Sequence, residues 1–173
     1  YLQDWIVDPD FPLSWRLQRE RAGSGALGDI GAHVIDATQF VLDDLLTGVT
    51  GLTETFIRDR PGGSVTVDDC ALFLGRLSAG AVATFEATRL ATGRKNGLRF
   101  EINGSAGSLA FDLEKLNELW YYDQAEDATT AGFRRILVTE PTHPYMDAWW
   151  PPGHLIGYEH TFTPDNRLWR KTM

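Results

Sequence analysis

The chain has 173 residues, of which 43% are apolar and 23% charged, an ordinary composition for one globular domain able to bury a core. A net charge of −8 with no Lys/Arg stripe excludes nucleic acid as a partner, and no apolar run is long enough to span a bilayer. The one cysteine, Cys70, lies in an alternating apolar stretch and reads as a small buried hydrophobe; a disulfide within the chain is impossible, which fits a reducing, cytoplasmic setting.

Tyr1-Leu-Gln-Asp-Trp-Ile-Val7 reads as a strand. It has no turn or cap ahead of it and begins with Tyr rather than Met, as expected of a chain cut from something longer; no signal peptide can be read from such an end. A Pro/Asp loop (Asp8 to Pro12) and a charged stretch (Trp15 to Arg21) follow, and then a glycine bend from Gly23 to Gly28. The bend matches G-x-G-x-x-G. A dinucleotide fingerprint, however, needs a buried strand running into its first glycine, and Arg16 to Ala22 is charged and helix-like. No βαβ unit follows either. The glycines therefore read as a tight bend that aims the next helix at a cleft, and no cofactor site is expected in this chain alone.

Residues 29 to 46 have the period of one amphipathic helix. Asp29, His33, Asp36 and Phe40 share a face, while Ile30, Val34, Ala37, Val41 and Leu45 form an apolar stripe directed to a core. A carboxylate and an imidazole one turn apart beside that stripe can handle protons. On the residues alone Asp29 reads equally as an N-cap, His33 as a structural histidine, and Asp36 as surface or as support for His33.

From Val49 the period changes to two. Candidate strands are Thr53 to Arg58, Asp69 to Leu74, Ala81 to Thr88, Leu98 to Ile102, Ser108 to Phe111, Leu119 to Tyr122 and Arg135 to Val138. Leu77-Ser-Ala-Gly80 and Asn103-Gly-Ser-Ala-Gly107 are hairpin turns. Strands this close in sequence pair antiparallel, giving a meander of roughly seven or eight strands. Gln124 to Gly132 is a polar loop. The fold class is α+β: an open-faced, mostly antiparallel sheet with helices on one face.

Gly-Asp-Ile-Gly-Ala-His-Val-Ile-Asp, residues 28 to 36, resembles the D-x-x-x-H signature of the Gfo/Idh/MocA oxidoreductases (glucose-fructose oxidoreductase and inositol dehydrogenase type). Tyr1-Leu-Gln-Asp-Trp5, Glu101-Ile-Asn-Gly-Ser-Ala-Gly-Ser-Leu109 and Trp149-Trp-Pro-Pro-Gly-His-Leu-Ile-Gly-Tyr-Glu-His160 resemble further segments of that family's C-terminal domain, a dihydrodipicolinate-reductase-like fold. The resemblance covers residues 1 to 163; residues 164 to 173 form a basic tail unlike the family, and Pro164 opposes a helix there.

The resemblance implies an NAD- or NADP-dependent dehydrogenase that oxidises a secondary alcohol of a neutral sugar or polyol. His33 is then the acid/base and Asp29 its partner. The cofactor and a catalytic lysine belong to a Rossmann domain absent here, so the isolated chain is expected to be inactive. Arg16, Arg94, Asn96, Trp149 and His154 are the substrate-binding candidates. Three of them have a plainer reading: Arg94 and Asn96 on a solvated loop (Arg89 to Asn96), Trp149 as packing. The sheet face implies a homo-oligomer. Two other functions compete. One is a metal-dependent hydrolase or isomerase built on Asp29, His33, Asp36 and His154, Glu159 or His160; the other is a non-catalytic dimerisation module.

Overall fold

The computed structural model describes residues 1–144, 146 and 149–162. The chain divides into two compact units, Tyr1–Leu98 and Arg99–Met173, both within the span read as one domain or its tail. The tail from 164 to 173 lies outside the described residues.

The first unit opens differently from expectation. Tyr1 to Val7 is not a regular strand; it makes single bridges, with Leu2 exchanging N–H and C=O bonds with Gly97 and Gln3 donating to Thr88 O at 2.9 Å. A turn closed by Val7 N–H on Asp4 O, just ahead of Asp8-Pro9, stops the pairing. Arg60, almost wholly buried, then clamps the loop by donating to the carbonyls of Ile6 and Asp8. Around it Ile6, Leu17, Val65 and Val67 form a core cluster, flanked by Trp5, Phe11, Leu13 and Leu90.

A short helix, α1 (Arg19–Ala22), ends at Gly23 in a positive-φ conformation. The chain then enters a wide π-type turn (Leu27–Gly31) that runs straight into α2 (Ala32–Leu42). Asp43, left-handed at φ 48°, ends α2 well short of residue 46. The sequence reading of one continuous helix over 29 to 46 is thus corrected at both ends. So is the burial of its apolar stripe. Ala26 and Ile30 pack on Ala71 and Ala87, but Val41 is 42% and Leu45 64% exposed. Periodicity marks a face that needs a partner; it does not say that the partner lies in the same chain.

The sheet of this unit has the order β1-β4-β5, from β1 (Leu46–Glu54), β4 (Cys70–Leu77) and β5 (Val82–Thr88), all antiparallel. Between β1 and β4 lies a two-residue ladder of β2 (Asp59–Arg60) with β3 (Gly63–Ser64). The strand expected over 53 to 58 ends at Glu54, because the Phe56 and Ile57 N–H groups turn away to the Asp69 carboxylate. The turn between β4 and β5 carries Gly80 at φ 99°, as its hairpin role requires. One face of the sheet meets the helix entry through Ala71 and Ala87; the buried Cys70 stands on β4, and burial pushes its thiol up. The opposite face is open, with Leu74 at 59% and Val82 at 72% exposure.

In the second unit β6 (Arg99–Gly104), β7 (Gly107–Asp112), β8 (Glu118–Asp123) and β9 (Arg134–Leu137) form a four-stranded antiparallel sheet in sequence order. The long meander therefore resolves into separate ladders of three, two and four strands. Asn117 clamps the aromatic segment of this unit with two 2.8 Å bonds to the Ile156 backbone, one in each direction.

Candidate active site

Three backbone segments of the first unit meet: the extended stretch 1–5, the π turn into α2, and the loop that follows β5. What builds the helix entry is Asp68. Its carboxylate accepts from the N–H groups of Gly25 (3.0 Å) and Leu27 (2.7 Å), while Ala26 N–H donates to Asp68 O. A Cβ on Gly25 would lie 1.9 Å from that carbonyl oxygen, so only glycine fits. Two donors of the glycine-rich match are thus spent on a carboxylate of the same chain, and the loop does not fit a pyrophosphate. Asp29, two residues into the turn, has a different task from the N-cap weighed above.

Asp29 receives the Arg89 guanidinium, Nη2 to Oδ2, at 2.5 Å. Arg89 is 1% exposed, whereas the Asp29 side chain is 48% exposed. The pair therefore runs from a buried cation to an accessible carboxylate. Among the described residues, Arg89 Nε and Nη1 have no hydrogen-bond partner. Its charge acts on a second carboxylate, Asp69, which also feels Arg60. Burial pushes the Asp69 carboxyl up; hydrogen bonds from the Ile57 and Phe56 N–H groups pull it back. The Arg89 guanidinium lies 5.3 Å from the Trp5 ring centroid.

His33 is exposed on α2, and its ring stands 6.2 Å from that of Tyr1. No hydrogen bond joins His33 to Asp29 among the described residues. Tyr1 links the imidazole to Asn96 by donating its hydroxyl to Asn96 Oδ1, and Gln3 Nε2 donates to the same oxygen at 3.2 Å. Tyr1 and Gln3 lie on the bridged stretch ahead of the Asp4–Val7 turn, and Trp5, within that turn, reaches back to Gln3 through its indole N–H. Asp36 is exposed on the helix.

The sequence candidates thus separate. Asp29, His33 and Asn96 fall into one connected set, joined through Arg89, Trp5, Gln3 and Tyr1. Arg94 belongs to the same loop as Asn96; its backbone N–H closes a turn on Ala91 O. Arg16 is exposed and covers the Trp15 ring at 4.6 Å. Trp149 and His154 belong to the second unit, where Trp149 packs edge-on against His160 at 5.1 Å and His154 lies beside Trp150 at 5.5 Å. Arg89, the first residue of the loop read as solvated, is instead buried and bonded to Asp29. Asp68, Tyr1 and Gln3 had no site role in the sequence reading, where Tyr1 and Gln3 stood only as part of an opening strand. Among the described residues no three His, Cys, Asp or Glu side chains group as a metal site.

The model of the GFO/IDH/MocA C-terminal domain matches residues 1–110, and the chain belongs to that family. Levoglucosan dehydrogenase of Pseudarthrobacter phenanthrenivorans is 41% identical over 180 aligned positions, covering 93% of this chain and 46% of that protein. The chain thus spans about half the length of this curated relative. A crystal structure of an oxidoreductase domain protein from Kribbella flavida superposes with a TM-score of 0.91 at 64% identity, over 94% of this chain and 44% of that one. A levoglucosan dehydrogenase in complex with NADH and levoglucosan superposes with a TM-score of 0.89 at 45% identity, over 93% and 44% of the two chains.

Proposed function

We propose that this chain is the substrate-binding half of an NAD(P)-dependent dehydrogenase that oxidises a secondary alcohol of a neutral sugar or polyol, with His33 as acid/base. One observation carries the reading: an accessible imidazole stands beside a tyrosine–asparagine pair, and the carboxylate one turn earlier is immobilised by a buried arginine. The bound nicotinamide supplies the hydride acceptor, and it is assigned to residues outside this chain, since the glycine loop does not fit it. His33 takes the hydroxyl proton as the carbonyl forms. Asp29, held in place by Arg89, keeps an oxygen for a neighbouring substrate hydroxyl. Asn96 binds a further oxygen of the polyol, and Arg16 and Arg94 of the same unit remain candidates for the rest of the ring.

A neutral substrate follows from charge. The chain carries a net −8, and the buried Arg89 cation is already paired with Asp29. The 173-residue chain alone is expected to be inactive, and the reaction is placed in the cytoplasm. No helix among the described residues is long and apolar enough to cross a membrane.

The test uses the full-length enzyme with NAD⁺ or NADP⁺ and, as probes, levoglucosan and glucose 6-phosphate. Reduction of the nicotinamide with the neutral anhydrosugar and not with the phosphate is expected. A preference for the phosphate, or no redox activity on any polyol, would overturn the reading.

A further inference from the structure

The polar chain beside His33 has a fixed direction. It begins at the Trp5 indole, whose N–H can only donate, and which donates to Gln3 Oε1 at 3.1 Å. That bond settles the orientation of the Gln3 amide: its oxygen faces Trp5, so its Nε2 faces Asn96. Gln3 Nε2 donates to Asn96 Oδ1 at 3.2 Å. This second bond settles the Asn96 amide in turn, with oxygen toward Gln3 and nitrogen away from it. The Tyr1 hydroxyl donates to the same Oδ1, which takes up both lone pairs of that oxygen. Asn96 Nδ2 is left with two donors and no acceptor among the described residues. The Trp5 ring is itself held between the Phe11 ring, edge-on at 5.5 Å, and the Arg89 guanidinium at 5.3 Å.

We propose that Trp5 and Gln3 are positioning residues that fix the donor face of the Asn96 amide toward substrate, so that the site selects an acceptor oxygen at that position. An ether oxygen of an anhydrosugar, or a hydroxyl that gives its own proton elsewhere, meets this demand. Neither Trp5 nor Gln3 touches substrate; both act through Asn96. A freely flipping amide would accept either kind of group. A locked one leaves a buried mismatch when the substrate presents only a donor. The inference rests on the reading of the His33–Asn96 corner as the substrate site.

The test compares Asn96→Asp, Gln3→Glu and Trp5→Phe in the full-length enzyme, with levoglucosan as substrate. Asn96→Asp removes the donors and keeps the shape. Gln3→Glu still accepts from the indole and loses the donor that locks Asn96. Trp5→Phe keeps a ring beside Arg89 and loses the N–H. Each variant is expected to raise KM about five- to tenfold with kcat nearly unchanged, the mark of lost uniform binding. Combining Gln3→Glu with Asn96→Asp is expected to cost no more than Asn96→Asp alone, since both act on one group.

If Asn96→Asp raises KM while Gln3→Glu and Trp5→Phe leave it at the wild-type value, the relay is wrong and the substrate site stands. If Asn96→Asp leaves KM unchanged, the corner is not the substrate site, and both readings fall. Should Trp5→Phe fold poorly, Gln3→Glu carries the decision. In addition, the Asn96 side-chain amide resonances of the ¹⁵N-labelled chain are expected to shift in Gln3→Glu; unshifted resonances would contradict the lock without reference to activity.

Discussion

At the scale of single residues, a buried charge of the first unit lies against the proposed site. Arg89 is sealed from solvent and holds Asp29, whose other side is open to water. A surface ion pair of this kind would contribute little. Here one partner is buried, and removing a buried pair's partner is costly because the remaining charge stays desolvated. Asp69 is that remaining charge: fully buried, with Oδ1 lacking a partner among the described residues and balanced by Arg60 and Arg89. Arg89→Met is therefore expected to destabilise the fold by about 3 kcal/mol. Urea denaturation of the two chains measures this, and a loss below about 1 kcal/mol would show that Arg89 is not a structural anchor. Asp29 and His33 stood out in sequence by their four-residue spacing, although the π-type turn alters the register between them. Arg89 did not. An arginine in a polar loop gives no sign of being buried until the fold brings a carboxylate to it across 60 positions.

At the scale of elements, the helix that carries the site is anchored at its entry rather than along its length. Asp68 holds the π-type turn, and Ala26, Ile30, Ala71 and Ala87 let it approach the sheet closely. Beyond this, α2 buries no residue. π-type turns recur at functional sites, where they shift side chains out of ordinary helical register. That shift separates Asp29, bonded to Arg89, from His33, facing Tyr1. Sequence periodicity cannot anticipate it, because it assumes a uniform helix.

The open face of the sheet has the opposite history. Alternation predicted strands at β4 and β5, and the register places Leu52 opposite Leu72 and Thr50 opposite Leu74 on the exposed side. Two adjacent leucines of one strand face, both exposed, are a surface that a second copy can cover. We expect the chain to self-associate through this face, and Leu72→Lys with Leu74→Lys to shift it to monomer. Light scattering at high concentration is the measurement. A wild-type chain that is already monomeric there would contradict the expectation.

At the scale of the whole molecule, the sequence yielded the class before the structure did. Antiparallel strands with one principal helix ahead of them indicated α+β, the resemblance of residues 28–36, 1–5, 101–109 and 149–160 pointed to the family, and the match over residues 1–110 agrees. The course of the backbone was less legible. A run of apolar residues at the start read as a strand, yet a turn over Asp4 to Val7 limits it to single bridges. In that segment Tyr1 and Gln3 bond Asn96, Tyr1 stands beside the His33 ring, and Trp5 bonds Gln3. The central claim is that His33 moves the substrate proton. It is tested most directly by the steady-state turnover of full-length enzyme carrying His33→Ala, with levoglucosan at saturation and the nicotinamide absorbance as readout. The account predicts a loss in kcat of about 100-fold or more, the range of a general acid/base. Turnover within about threefold of wild type would contradict it, leaving His33 a bystander on the helix.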